Sequence, residues 1–108
     1  MKELDITYSQ AYNLVLMINA SVEVDGKPIP VGLLTESIKE SVKRKLTRIR
    51  KTLIEAIGED FKPSEKTELL NEKIKVQVDA VNAEYLYDFT SKDSVISYDY
   101  DLLDLLCE

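Results

Sequence analysis

Apolar residues at Leu34, Ile38, Val42, Leu46, Ile49, Leu53, Ala56 and Ile57 recur at steps of mostly three and four. At about 100° per residue that spacing draws one stripe along a helix, and so long a stripe has to be covered by another element. It predicts an amphipathic helix over residues 31–57, with Gly58 as its C-cap. A chain of 108 residues then has room for one domain. A chain this short buries a modest share of its surface, so a partner or a second copy often adds to its core.

The element that covers the stripe is signalled at the N-terminus. In "TYSQ", Thr7 and Gln10 occupy capping-box positions, with Ile6 and Ala11 placed for a hydrophobic staple. Tyr8, Tyr12, Val15, Leu16 and Ile18 then keep helical spacing to about Ala20. Next, Val22 and Val24 alternate with Ser21 and Glu23, Asp25-Gly26 is a turn pair, and Pro28 and Pro30 forbid helix, so a small hairpin or bent connector is expected. Pro63 and Ser64 suit the start of a short helix over residues 64–71. "KIKVQVDA" alternates strictly, with Ile74, Val76, Val78 and Ala80 on one face, and reads as a strand. Its candidate partners are residues 22–24 and 94–98, and so few strands leave an edge open to another protein. The aromatic stretch after Val81 could be a strand or, with Asn82 placed as a cap, a helix or turn over residues 83–88, which is the preferred reading. Residues 90–94 read as a polar, mobile loop, and a terminal helix is expected from about Tyr98. The fold class is therefore α+β, mainly helical. A long central amphipathic helix packs on an N-terminal helix, with a small β element and a short C-terminal helix.

From Lys39 to Lys51 there are seven Lys or Arg and one acid, Glu40, in a chain of net charge −6. On the helical wheel these basic residues cover the whole polar arc instead of a narrow ridge that would track a phosphate backbone. No aromatic residue is interleaved for base stacking. Residues 79–108 carry eight acids and one basic residue, Lys92, and are expected to balance the basic face. Direct nucleic-acid binding is not expected, and the net negative charge disfavours adhesion to anionic lipid.

Other classes of function are narrowed by composition. There is no histidine, which removes Ser-His and Cys-His nucleophile pairs and histidine zinc sites. The single cysteine, Cys107, admits no intrachain disulfide and reads as a frayed terminal thiol in a reducing compartment. Gly26, Gly32 and Gly58 are too scattered for a phosphate-cradling loop. The N-terminus has no long apolar core, and no apolar run approaches the roughly 18 residues of a membrane span. The expectation is a cytoplasmic protein that is not an enzyme, with no catalytic residue, metal or cofactor.

Six tyrosines, Tyr8, Tyr12, Tyr85, Tyr87, Tyr98 and Tyr100, remain as recognition material, because the ring is apolar and the hydroxyl is not. On a helix from Tyr98, the residues Tyr98, Leu102, Leu105 and Leu106 share one face and dock on the domain. Leu103 and Tyr100 then point outward among Asp99, Asp101 and Asp104. An exposed apolar pair ringed by acids is the pattern of a small contact with a charged rim. The candidate partner-binding set is thus Tyr98, Asp99, Tyr100, Asp101, Leu103 and Asp104, with the alternative that Leu103 belongs to the core.

The order of pieces resembles a family of small bacteriophage and prophage proteins of uncharacterised function. Lys27-Pro28-Ile29, Glu68-Leu69-Leu70-Asn71, Val76, Val78 and the run from Leu102 to Leu106 carry the likeness, which spans most of the chain. The segment between the long helix and the Leu-Leu-Asn motif is shorter than in that family, and Pro30 stands where a basic residue is commoner. The resemblance implies a phage origin, hence the cytoplasm of an infected or lysogenic bacterium, and carries over no catalytic residue. Two functions follow as expectations. One is an acidic interaction protein that binds and inhibits a host protein, such as a nuclease or other defence effector with a basic cleft. The other is a head or tail assembly factor that acts by self-association.

Overall fold

The computed structural model of the chain describes residues 1–88 and 97–108. Over these residues it is an α+β fold with four helices and two small antiparallel sheets. Strand β1 (Lys2–Thr7) leads into α1 (Tyr8–Ile18), then the hairpin β2 (Ala20–Val24) and β3 (Lys27–Val31). A 3-10 turn (Leu33–Thr35) precedes α2 (Glu40–Ile57), and another (Thr67–Leu69) precedes β4 (Lys73–Val78). Two short helices follow, α3 (Ala83–Leu86) and α4 (Tyr100–Asp104).

Thr7 closes β1 and opens α1. Its hydroxyl accepts from the Gln10 backbone N–H at 3.1 Å while the Gln10 side chain accepts from the Thr7 N–H at 2.9 Å, a complete capping box. Two more unpaired N–H groups at this helix end, of Tyr8 and Ser9, donate to the carbonyls of Glu72 and Leu70, which tie the approach to β4 onto α1. Ala11, Leu14, Val15, Met17 and Ile18 are buried, whereas Leu16 is exposed and Tyr8 and Tyr12 lie half-buried against the Phe61 ring. Leu14 and Ile18 meet Val42, Leu46, Ile49 and Leu53 of α2 in one cluster, which Leu4, Ile6 and Val78 complete from the β1–β4 sheet.

Several sequence expectations change. The long helix begins at Glu40, not at residue 31, because β3 holds Val31 in the hairpin and the 3-10 turn follows. Ile38 is still buried, reaching the core from the loop before the Lys39 cap, so it mimics a helical step without being in the helix. Residues 64–71 form turns and the second 3-10 turn, not an α-helix. Its cap, Lys66, contributes no side-chain hydrogen bond, and one or two turns are marginal alone. The partner of β4 is β1, in the register Leu4↔Val76 and Ile6↔Ile74. Residues 22–24 pair inside the hairpin instead. Of the other candidate partner, residues 94–96 lie outside the described residues, and Ser97 and Tyr98 are in no strand. The polar stretch 90–94 also lies outside them. The β1 pattern was readable: Leu4 and Ile6 alternate with Glu3 and Asp5. Gly58 caps α2 as expected, its N–H on the Ile54 carbonyl at 2.8 Å.

Candidate protein-interaction site

Strand β4 ends at Val78, and Asn82 then starts α3, its side chain accepting from the Glu84 N–H at 2.9 Å. Asp99 does the same for α4, accepting from the Leu102 N–H at 3.1 Å. The chain end is sewn down rather than frayed. The Val81 N–H donates to the Leu106 carbonyl at 2.9 Å and the Glu108 N–H to the Val81 carbonyl at 3.0 Å. The Lys2 ammonium holds the Cys107 carbonyl at 2.7 Å. Cys107 is buried, and burial pushes its thiol pKa up, only partly offset by the bond to the Tyr87 hydroxyl; it is a packed thiol.

Between α3 and α4 the tyrosines gather. The Tyr87 and Tyr100 rings meet edge to face with centroids 5.7 Å apart, and Tyr98 lies 6.3 Å from Tyr100. The Tyr87 hydroxyl donates to Asp104 Oδ1 at 2.5 Å, bridging the two helices. Its pKa is raised, first by burial and then by that carboxylate. The Tyr98 hydroxyl donates to Glu36 Oε1 at 3.2 Å, which pins the entry to α4 onto the first 3-10 turn; burial and then the Glu36 carboxylate raise its pKa too. Glu36 is 5% exposed, and among the described residues its Oε2 has no hydrogen-bond partner. Among the described residues no group of three or more acids or cysteines is placed to hold a metal ion.

The six sequence-predicted site residues divide. Tyr100 is 53% exposed, and Asp101 and Asp104 are exposed beside it. Asp99 is exposed but occupied as the α4 cap, and Tyr98 is half-buried against the core. Leu103 is 0% exposed, so the expected outward pair of Leu103 and Tyr100 does not exist, and Leu103 belongs to the core. The physical reason is length. Helix α4 is five residues long, and the chain then tightens, with the N–H of Leu105 and Leu106 bonding three residues back to Leu102 and Leu103. A single turn closed this way does not follow the wheel of a long helix, and Leu102, Leu103 and Leu106 all reach the core. Two tyrosines were left out of the expected site. Tyr87 joins the elements of the patch, and Tyr85 is 43% exposed with the Lys39 ammonium 4.4 Å from its ring centre. Both were among the tyrosines counted from sequence, but their spacing does not reveal which neighbours they meet.

The basic face of α2 is engaged along its flanks. Arg48 pairs with Asp79 at 2.9 Å, Lys45 donates to the Ala80 carbonyl at 3.2 Å and Arg50 to the Asn19 carbonyl at 3.2 Å. Among the described residues the acidic C-terminal third meets this helix in one ion pair, Arg48–Asp79. It is well exposed, so it adds at most about 1 kcal/mol. At the base of the hairpin lies an open, largely apolar groove of about 480 Å³, whose lining includes Leu16, Met17, Val22, Val31 and Asp99. Among the described residues that line it, Asp99 is the one carboxylate, and it caps α4.

The chain matches no protein-family model, no curated protein and no solved structure. Among the described residues no helix is long and apolar enough to cross a membrane.

Proposed function

We propose that this chain is a non-enzymatic interaction protein of phage type that binds a host protein with a basic surface and modulates or inhibits it. The supporting observation is the acid-rimmed tyrosine patch. Tyr100 is half-exposed, held edge-on by Tyr87 and flanked by Asp101 and Asp104. A ring fixed by its neighbours loses little freedom on binding, and a carboxylate rim steers a basic partner. Leu103 supports this only from beneath, as part of the core under α4. The sequence resemblance supplies the phage setting, and a nuclease or defence effector with a basic cleft is the class of partner that fits the charge.

The test is retention of a defined host protein by the tagged chain at modest salt, repeated with Tyr100→Ser and with Asp101→Lys. Binding that falls with added salt and is lost in both variants, at unchanged thermal stability, supports the reading. Retention of no host protein, or equal retention by both variants, sinks it. A second reading, a head or tail assembly factor acting by self-association, is favoured by a different observation, the outer edge of β2.

A further inference from the structure

Asp25 and Gly26 form a two-residue turn with φ of 52° and 78°, the geometry that joins tightly twisted strands. Across such a turn Val24 and Lys27 exchange backbone hydrogen bonds, and bonded pairs alternate with unbonded pairs along the ladder. The pairs Val22↔Ile29 and Ala20↔Val31 therefore bond inward. Ser21↔Pro30 and Glu23↔Pro28 turn their backbone groups outward. On β3 both outward positions are proline, which has no N–H to offer, so that edge is closed to a further strand. On β2 the outward positions are Ser21 and Glu23, each with an N–H and a carbonyl. Among the described residues no strand pairs with that edge.

We infer that a second copy of the chain pairs with the outer edge of β2, antiparallel, about a two-fold axis at Val22. This rests on the self-association reading and specifies its surface. In that register Val22 stands opposite its own counterpart, Ala20 opposite Val24, and Ser21 opposite Glu23, where a hydroxyl meets a carboxylate. A register centred on Glu23 would set two like charges opposite each other and is disfavoured. The strand is thus complementary to itself without any other segment. Val24 is 41% exposed and Ile29 39% exposed on the same face, and a two-stranded hairpin is marginal by itself. Pairing makes a four-stranded sheet β3–β2–β2–β3 whose two ends are both proline edges, so assembly stops at the dimer. The two copies each carry net charge −6, so the dimer strengthens with added salt, opposite to a basic partner held at the tyrosine patch.

Sedimentation from about 1 µM to about 1 mM covers the range expected of so small an interface. The expected result is a monomer–dimer equilibrium that shifts toward dimer with salt. Glu23→Pro repeats on β2 what Pro28 does opposite it, removing an outward N–H while leaving the hairpin's own bonds. It should weaken dimerisation by about tenfold or more, since each copy loses a bond, with circular dichroism unchanged. Val22→Lys, which sets two ammonium groups at the axis, is the second variant and should do the same. A monomer throughout overturns this inference and the self-association reading together. A dimer that survives both variants, or that Tyr100→Ser abolishes, overturns the inference alone.

Discussion

The β1–β4 sheet and the β2–β3 hairpin are both antiparallel and two-stranded, yet one is sunk into the body and the other stands off it. In the first, Leu4 and Ile6 lie opposite Val76 and Ile74, and α2 packs against β4. In the second, valines and an isoleucine sit equally well in register, but only Val31 is buried. Strand pairing alone does not bury a sheet face; a helix lying on it does. The two sheets also close their edges differently. The hairpin uses Pro28 and Pro30 on one side, whereas the body continues past β4 into Val81, which bonds the chain end.

The largest test of this contrast compares a carboxylate placed in the body with one placed in the hairpin. Ile49→Asp, at a residue 1% exposed, should cost several kcal/mol, enough to abolish cooperative thermal unfolding. Val24→Asp should shift the melting free energy by no more than about 0.5 kcal/mol. Equal effects would mean that the hairpin is packed as tightly as the body. Next comes the joint between them. Gly32 has φ 113°, and a Cβ there would stand 2.8 Å from the Ile18 and Met17 carbonyl oxygens. Gly32→Ala should cost about 1–3 kcal/mol in chemical denaturation, and it moves the hairpin base or the end of α1. Third, Thr7→Ala removes half of the capping box where β1 meets α1, and should cost about 1 kcal/mol.

The smallest effect is clearest in alkali. The Tyr87 hydroxyl is held above its ordinary pKa, so the folded state keeps a proton that the unfolded chain releases near pH 10. The resulting stability is present below about pH 10 and is lost as pH rises above it. Tyr87→Phe should lower the melting temperature slightly at neutral pH and flatten its fall in alkali. The hairpin carries no tyrosine, so Val24→Asp should leave that slope as it is.

Helix and strand identity were legible wherever the pattern ran long enough or carried its own punctuation. The capping box at Thr7 and Gln10, the alternation in β4, the Asp25-Gly26 turn, the Asn82 cap and the stripe from Val42 to Leu53 all rest on interactions within a few residues of each other. The β1–β4 pairing joins residues from opposite ends of the chain, and nothing local in either strand names the other. The start of α2 was set by competition with the hairpin for Val31. Likewise the burial of Leu103 and Cys107, the bond from Tyr98 to Glu36 and the meeting of Tyr87 with Tyr100 were decided by what surrounds a one-turn helix and a chain end. Sequence by itself determined the local pieces, because propensity, capping and turn chemistry act over one or two turns of chain. Tertiary structure alone decided which tyrosines face solvent and which leucines do not, because burial depends on neighbours that sequence spacing does not specify.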